Sequence, residues 1–234
     1  MEKLISKIFI RGQIVAKTGL HIGGSKTALD IGGIDLNVIK TPAGIPYIPG
    51  SSLKGKLRSL LAREEGSGDV KNDSVEIKKL FGSSAPEDSS GNSTRLIIRD
   101  AYMSEESVKN MKNKEGIFEN LELDYTESKW ENTIDRKTGT AQHPRQLERV
   151  PAGAKFDFEI IYNNYDDDAE KNSLQKVIKA MRLLQDDFIG GSGSRGYGKI
   201  EFENVKVTQK TIKIYEGDNT EEVYKSENLK NNKL

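Results

Sequence analysis

The sequence predicts an α+β fold whose elements run strand, helix, strand, strand, helix, strand, and three observations predict it. Residues 5–16 carry Ile8, Ile10 and, past an Arg11-Gly12 break, Ile14 in alternation with polar positions, the period of a half-buried strand. Leu53, Leu57, Leu60 and Leu61 fall at i, i+4, i+7 and i+8, one face of a helix. Leu174, Val177, Ile178, Met181, Leu184 and Phe188 trace a second helical stripe, after which residues 200–207 alternate again.

The remaining elements follow in order. Gly19-Leu20-His21-Ile22-Gly23-Gly24 ends the first strand. Pro46, Pro49 and Gly50 make a rigid turn into the leucine helix, with Ser51 or Ser52 as its expected N-cap. Residues 64–76 and 83–94 are rich in Ser, Asp, Glu and Gly and read as mobile insertions. Residues 96–103 read as a strand, residues 104–124 as too polar for a core element, and residues 156–162 as another alternating strand. After Tyr215 the chain turns acidic and Asn/Lys-rich, as a flexible tail would. The order βαββαβ is that of a ferredoxin-like palm, shared with RNA-recognition domains. The expected layout is one domain over residues 1–215, with insertions near 21–45, 64–94 and 104–153, and a tail over 216–234. Many unrelated proteins share that topology, so fold alone decides no function.

Composition narrows the classes. The chain has 36 Lys and Arg against 36 Asp and Glu, so its formal charge is zero. That argues against a free-standing binder that holds nucleic acid by bulk charge; any contacts must be local, or shared among several chains. With no Cys and only His21 and His143, disulfides and thiolate metal sites are excluded and a structural zinc centre nearly so. No apolar run approaches the roughly 20 residues that span a membrane, and the start lacks a secretory h-region. The expectation is a cytoplasmic protein with no membrane partner.

The glycine-rich run from Gly190 to Lys199 contains Gly191, Gly193 and Gly196 in the spacing GxGxxG. A dinucleotide site needs that spacing after a strand and before a helix. Here the helix comes first and the strand second, so the nucleotide-cofactor reading fails. A clamp for a phosphodiester backbone fits instead: bare backbone at Gly191, Gly193, Gly196 and Gly198, with Arg195 and Lys199 for charge. On the leucine helix, Gly55, Ser59 and Ala62 lie opposite the apolar stripe, flanked by Lys54, Lys56 and Arg58. Two readings stand there, a close-approaching nucleic-acid backbone and a merely solvated basic face.

Several segments together are more specific than the fold. They are residues 19–24, the run Ile45-Pro46-Tyr47-Ile48-Pro49-Gly50-Ser51-Ser52-Leu53-Lys54-Gly55-Lys56-Leu57-Arg58, Glu131-Asn132-Thr133-Ile134-Asp135-Arg136, Pro144-Arg145-Gln146-Leu147-Glu148-Arg149-Val150, and the glycine loop. Carrying them, the chain closely resembles the RAMP superfamily of CRISPR proteins, specifically the repeated backbone subunit of type III-A (Csm) effector complexes. The resemblance covers almost the whole chain apart from the insertions and tail.

It implies a palm that holds crRNA, copies of the chain polymerised along that guide beside other subunits of the Csm complex, and a β-hairpin thumb interrupting the guide–target duplex. It further implies that bound target RNA is cut once per subunit with a divalent metal, Mg²⁺ or Mn²⁺, and an aspartate in the loop after the first strand. Asp35 matches that catalytic and metal-binding position, while Asp30 reads as a turn residue. Guide contacts implied by the match are His21, Gly23, Gly24, Ser51, Ser52, Lys54, Lys56, Arg58, Gly191, Gly193, Arg195, Gly196, Gly198 and Lys199. Residues 130–150 match the thumb, with Arg136, Arg145 and Arg149 toward RNA and Thr138-Gly139-Thr140 at its tip.

Three residues keep more than one reading. His21 suits a guide contact, a packed histidine or, since imidazole titrates near neutrality, an acid–base group. Trp130 reads as a core residue or as a base-stacking one. His143 precedes Pro144 where the family pattern has a small polar residue, which favours surface exposure. Rival functions are a catalytically silent crRNA scaffold, a crRNA-processing endoribonuclease of the same superfamily, and a generic single-stranded RNA binder. Zero net charge and few aromatics weaken the last.

Overall fold

The computed structural model describes residues 3–24, 36–83, 94–166, 172–217 and 222–223. The first strand, β1 (Leu4–Ala16), is the centre of an antiparallel sheet, pairing with β7 (Lys155–Tyr165) on one side and β8 (Ile200–Thr211) on the other. Beyond β7 lie β3 (Leu96–Ile98) and β4 (Ala101–Met103), and β2 (Tyr47–Ile48) pairs with β4. The palm order is therefore fourth, first, third and second strand, the ferredoxin-like arrangement. β1 runs through Gly12 without breaking, since the irregularity is a register shift against β8 between Arg11 and Gln13. A Cβ at Gly12 would stand 2.8 Å from the Glu203 carbonyl, which is why the bulge takes glycine.

Helices α1 (Gly50–Glu64) and α4 (Asn172–Gln185) cover one face of this sheet. Their leucine and Val/Ile/Met stripes meet Ile8, Ile10, Ile14, Phe156, Phe158, Ile160 and Phe202 in one core. Lys176 of α4 bridges Glu65, at the end of α1, and Glu76, which lies further along the chain, and Lys179 pairs with Glu64. Phe188 falls beyond the end of α4, half-buried in the loop that follows.

Four local expectations are corrected. Neither Ser51 nor Ser52 caps α1: Pro49 holds the N-cap position without a side-chain bond, and the Gly50 N–H donates instead to Asp100 Oδ1 at 2.7 Å. The strand expected over 96–103 is two short ones, broken at Arg99-Asp100 where Asp100 turns to reach that helix end. Residues 64–76 are ordered by a 3₁₀ turn (Val70–Asn72) and the start of α2 (Val75–Phe81), with buried Asp73 bound to Arg58 at 2.7 Å; residues 84–93 lie outside the described residues. The polar stretch 104–124 does reach the core. Ser104 caps α3 (Glu105–Lys112), and Met111, Phe118 and Leu121 are buried although no continuous stripe announces them.

From that insertion rises a two-stranded hairpin, β5 (Glu127–Ile134) and β6 (Ala141–Arg149), a separate sheet from the palm. Its turn is set by Asp135, whose carboxylate accepts the Lys137 and Thr138 N–H groups at 2.8 Å each; those backbone donors hold its pKa below the ordinary carboxylate value. After β8 comes the short helix α5 (Ile212–Tyr215), and β9 (Glu222–Val223) pairs with β8, so this stretch of the expected tail adds to the sheet edge. No helix among the described residues is long and apolar enough to cross a membrane.

Candidate nucleic-acid interface

Three separate segments converge at the base of the hairpin. The glycine loop hydrogen-bonds the turn after β1: the Gly191 N–H donates to the His21 carbonyl at 2.8 Å and the Gly198 N–H to the Gly19 carbonyl at 2.9 Å. Leu20 and Val150 exchange backbone bonds, which fixes that same turn to the end of β6. The third segment, residues 36–40, is held by Glu148. Its carboxylate is 2% exposed and accepts from Lys40 Nζ at 2.5 Å, Thr126 Oγ1 at 2.7 Å and the Val38 N–H at 2.9 Å. The Leu36 carbonyl accepts from the Glu148 N–H, so the residue next to Asp35 is bound to the hairpin base. Asp35 and Asp30 themselves lie outside the described residues.

The glycines serve the fold more than an outside ligand. A Cβ at Gly190 would stand 2.2 Å from the His21 carbonyl, one at Gly193 2.0 Å from the Phe188 ring, and one at Gly198 2.1 Å from the Ile189 carbonyl. Gly191 and Gly23 have looser surroundings, where a Cβ would stand 3.5 and 3.8 Å from the His21 ring, and one at Gly24 would stand 3.1 Å from the Ile39 backbone. Only at Gly196 in this set, with φ +86°, would a Cβ meet no described atom within 4 Å. Close packing against the chain's own backbone thus accounts for most of this glycine-rich run.

His21 is a buried side chain. Its Nδ1 lies 2.7 Å from the Glu148 carbonyl, which can only accept, so Nδ1 carries the proton and the Nε2 edge faces Gly23. Trp130, by contrast, is 62% exposed on β5, which corrects the core reading. His143 is exposed with φ +55°.

The charged residues sort into two groups. On α1, Lys56 pairs with Asp187 at 3.2 Å and lies over the Phe188 ring, and Arg58 is bound to Asp73. Lys54 reaches the Leu96 carbonyl at 3.4 Å; burial and then the neighbouring Arg58 lower its pKa. All three are therefore engaged within the chain; Lys56 borders the glycine loop through Phe188, whose ring packs on Gly193, while Lys54 and Arg58 are held by Leu96 and Asp73, and Ser51 is exposed and Ser52 half-buried on the first turn. At the hairpin base the cations do gather. Arg149 packs on Gly19, where a Cβ would meet its side chain at 2.4 Å, and pairs with Glu127 at 2.6 Å. The buried Tyr197 ring carries Lys129 at 4.6 Å and Arg149 at 5.1 Å. Arg145 and Arg195 approach Glu131, and Lys199 is exposed at the loop's end. Arg136 stands apart, exposed in the turn at the other end of the hairpin.

Sequence reasoning missed Glu131, Glu148, Thr126, Lys40 and Tyr197 as site residues. Nothing local marks Glu148 as buried; its partners come from distant segments. Burial pushes the Tyr197 phenol pKa up, with Glu131 adding to it, and the hydroxyl lacks a well-formed hydrogen bond. Among the described residues no three His, Asp or Glu side chains converge to hold a metal ion, so these residues alone form no metal centre.

Comparison with known proteins identifies relatives of the chain. Residues 13–201 match the family model described as the RAMP superfamily. The chain is 44% identical to the "CRISPR system Cms endoribonuclease Csm3" of Methanothermobacter thermautotrophicus, covering 89% of each protein. It is 45% identical to the protein of that name from Streptococcus thermophilus, covering 87% of this chain and 90% of that one. Among solved structures it superposes on a chain of the Csm3–Csm4 subcomplex of the type III-A CRISPR–Cas interference complex with a TM-score of 0.62 and 32% identity, covering 97% of this chain and 93% of that one.

Proposed function

Because the chain belongs to the RAMP superfamily, we propose that it is the crRNA-binding backbone subunit of a type III-A interference complex and that it cuts target RNA paired to the guide. One observation carries this reading. The glycine loop, the turn bearing His21 and the base of the hairpin form a single cation-bearing surface, directly joined to the segment that follows Asp35. The length and exposure of the hairpin suit it to entering a duplex, where Trp130 and Ile134 offer apolar surface to an unstacked base.

The finer reading is that copies of the chain line up along the guide and cut at regular intervals. A neutral chain with local contacts gains affinity when neighbours share one guide. Splaying one nucleotide out of the A-form stack lets its 2′-hydroxyl reach in-line geometry toward the adjacent phosphodiester. The 2′-hydroxyl gives up its proton as the new O–P bond closes a 2′,3′-cyclic phosphate, the P–O5′ bond breaks, and the departing oxygen takes a proton to leave a 5′-hydroxyl. Asp35 would hold Mg²⁺ or Mn²⁺ or orient the attacking hydroxyl; hard oxygen ligands suit those ions.

The test is target-RNA cleavage by the reconstituted complex carrying wild-type or Asp35→Ala subunit, with Mg²⁺ or with EDTA. A metal-dependent ladder of evenly spaced products, lost in the variant while target binding persists, is expected. An intact ladder in the variant would move the chemistry elsewhere and leave this chain as a scaffold.

A further inference from the structure

We infer that Glu131 is a positioning residue: it draws Arg145 of the hairpin and Arg195 of the glycine loop together into a two-guanidinium fork that grips one RNA phosphodiester. The inference rests on the RNA-binding reading above and names how that surface takes hold of the backbone.

Glu131 and Arg145 are opposite one another across the β5–β6 ladder, and the Glu131 Oε2 atom lies 3.0 Å from Arg145 Nη2. The same oxygen lies 3.5 Å from Arg195 Nε, which arrives from a different part of the chain. The carboxylate is mostly covered, at 12% side-chain exposure, whereas the two arginines are 45% and 51% exposed. A guanidinium has five N–H donors, and the carboxylate engages only one edge of each. Both guanidiniums keep donors not engaged by Glu131, on half-exposed side chains. Arg195 is further steadied by Ser192, its Nη2 donating to Oγ at 2.8 Å.

Two guanidiniums repel, and without an anion between them these two have no reason to converge. With Glu131 beneath, two cations stand against one carboxylate, and the unit keeps one net positive charge facing outward. A phosphodiester carries the single negative charge and the tetrahedral oxygens that complete it. The bound phosphate would straddle hairpin and loop, fixing the hairpin's angle to the guide. Glu131 itself stays ionised, since Arg145, Tyr197 and Arg195 outweigh the opposing effect of burial on its pKa.

A simple alternative makes the opposite prediction. If Glu131 merely competed with phosphate for the two arginines, removing its charge would tighten RNA binding. Anisotropy of fluorescein-labelled crRNA with the full chain, over a series of salt concentrations, separates the two. The variants are Glu131→Gln, Arg145→Ala, Arg195→Ala, the double arginine variant, and Glu119→Gln as a control that removes one exposed negative charge on the surface.

Glu131→Gln should bind on the order of tenfold more weakly than wild type. Its log–log salt dependence should flatten by about 0.7 for each phosphate no longer neutralised. The double arginine variant should cost less than the product of the single losses, because both arginines hold one phosphate. Binding by Glu131→Gln equal to or tighter than by Glu119→Gln would overturn the inference, as would multiplicative arginine losses. Should Glu131→Gln fail to melt cooperatively, the arginine cycle decides by itself. Wild-type chain that binds no crRNA would instead refute the RNA-binding reading, and this inference with it.

Discussion

Replacing Glu148 with alanine removes the acceptor on which three donors from separate segments converge: Lys40, the Val38 N–H and the Thr126 hydroxyl. The cost follows from what each donor can do next. Lys40 is 35% exposed and rehydrates, so its loss is small. The Val38 amide and Thr126 hydroxyl belong to buried residues, and a buried donor without a partner costs about 1–3 kcal/mol. Two of them give about 2–6 kcal/mol, in line with the roughly 3–5 kcal/mol lost on breaking a buried charge pair from one side. At about 2–4 °C per kcal/mol for a chain of this size, a central cost near 4 kcal/mol lowers the melting temperature by about 8–16 °C. Glu148→Gln keeps one acceptor and should fall between. Thermal unfolding reads the global effect, and hydrogen exchange at the Val38 amide should show that residues 36–40 open first. A drop below about 2 °C with unchanged exchange would refute the reasoning, because the clamp would then carry no stability.

Two further outcomes are expected. Gly190→Ala should cost about 2–4 kcal/mol by denaturant unfolding, since its φ of +83° is strained for a side chain and the new Cβ strikes the His21 carbonyl, whereas Gly196→Ala, with similar φ but open space, should cost only about 1 kcal/mol. Equal costs would mean that the close approach is unimportant. Trp130→Ala should leave stability within about 0.5 kcal/mol, as an exposed position allows, but weaken capture of target RNA by about 1–3 kcal/mol in a binding titration on the assembled complex. Unchanged capture would remove Trp130 from the interface.

The parts of the fold legible in advance are those with a local period. The stripe Leu53, Leu57, Leu60 and Leu61 marks α1, and alternation marks β1, β7 and β8, because one buried face forces that spacing whatever packs against it. Segments whose apolar residues are sparse escaped. Met111, Phe118 and Leu121 reach the core from separate turns, and no period links them. The cap of α1 escaped for a related reason: its donor is satisfied by Asp100, far along the chain, and not by the adjacent serines. The glycine loop was legible as a loop, yet its glycines mostly answer to Phe188, His21 and Ile189, neighbours that no composition reveals.

Residue order alone was enough for the palm's succession of elements, for the direction of the glycine loop that excluded a dinucleotide site, and for the resemblance to the RAMP superfamily. These depend on neighbours in the chain, or on motifs read in order. The charge partners, in contrast, were settled in three dimensions. Lys54, Lys56 and Arg58 look equally free in the sequence, but Asp73 and Asp187 claim two of them and the Leu96 carbonyl receives the third. Arg145 and Arg195 are instead joined through Glu131 and stay about half exposed. Coulomb and hydrogen-bond energies act over a few ångströms, and cross-strand register and loop approach, not spacing along the chain, set which charges come that close.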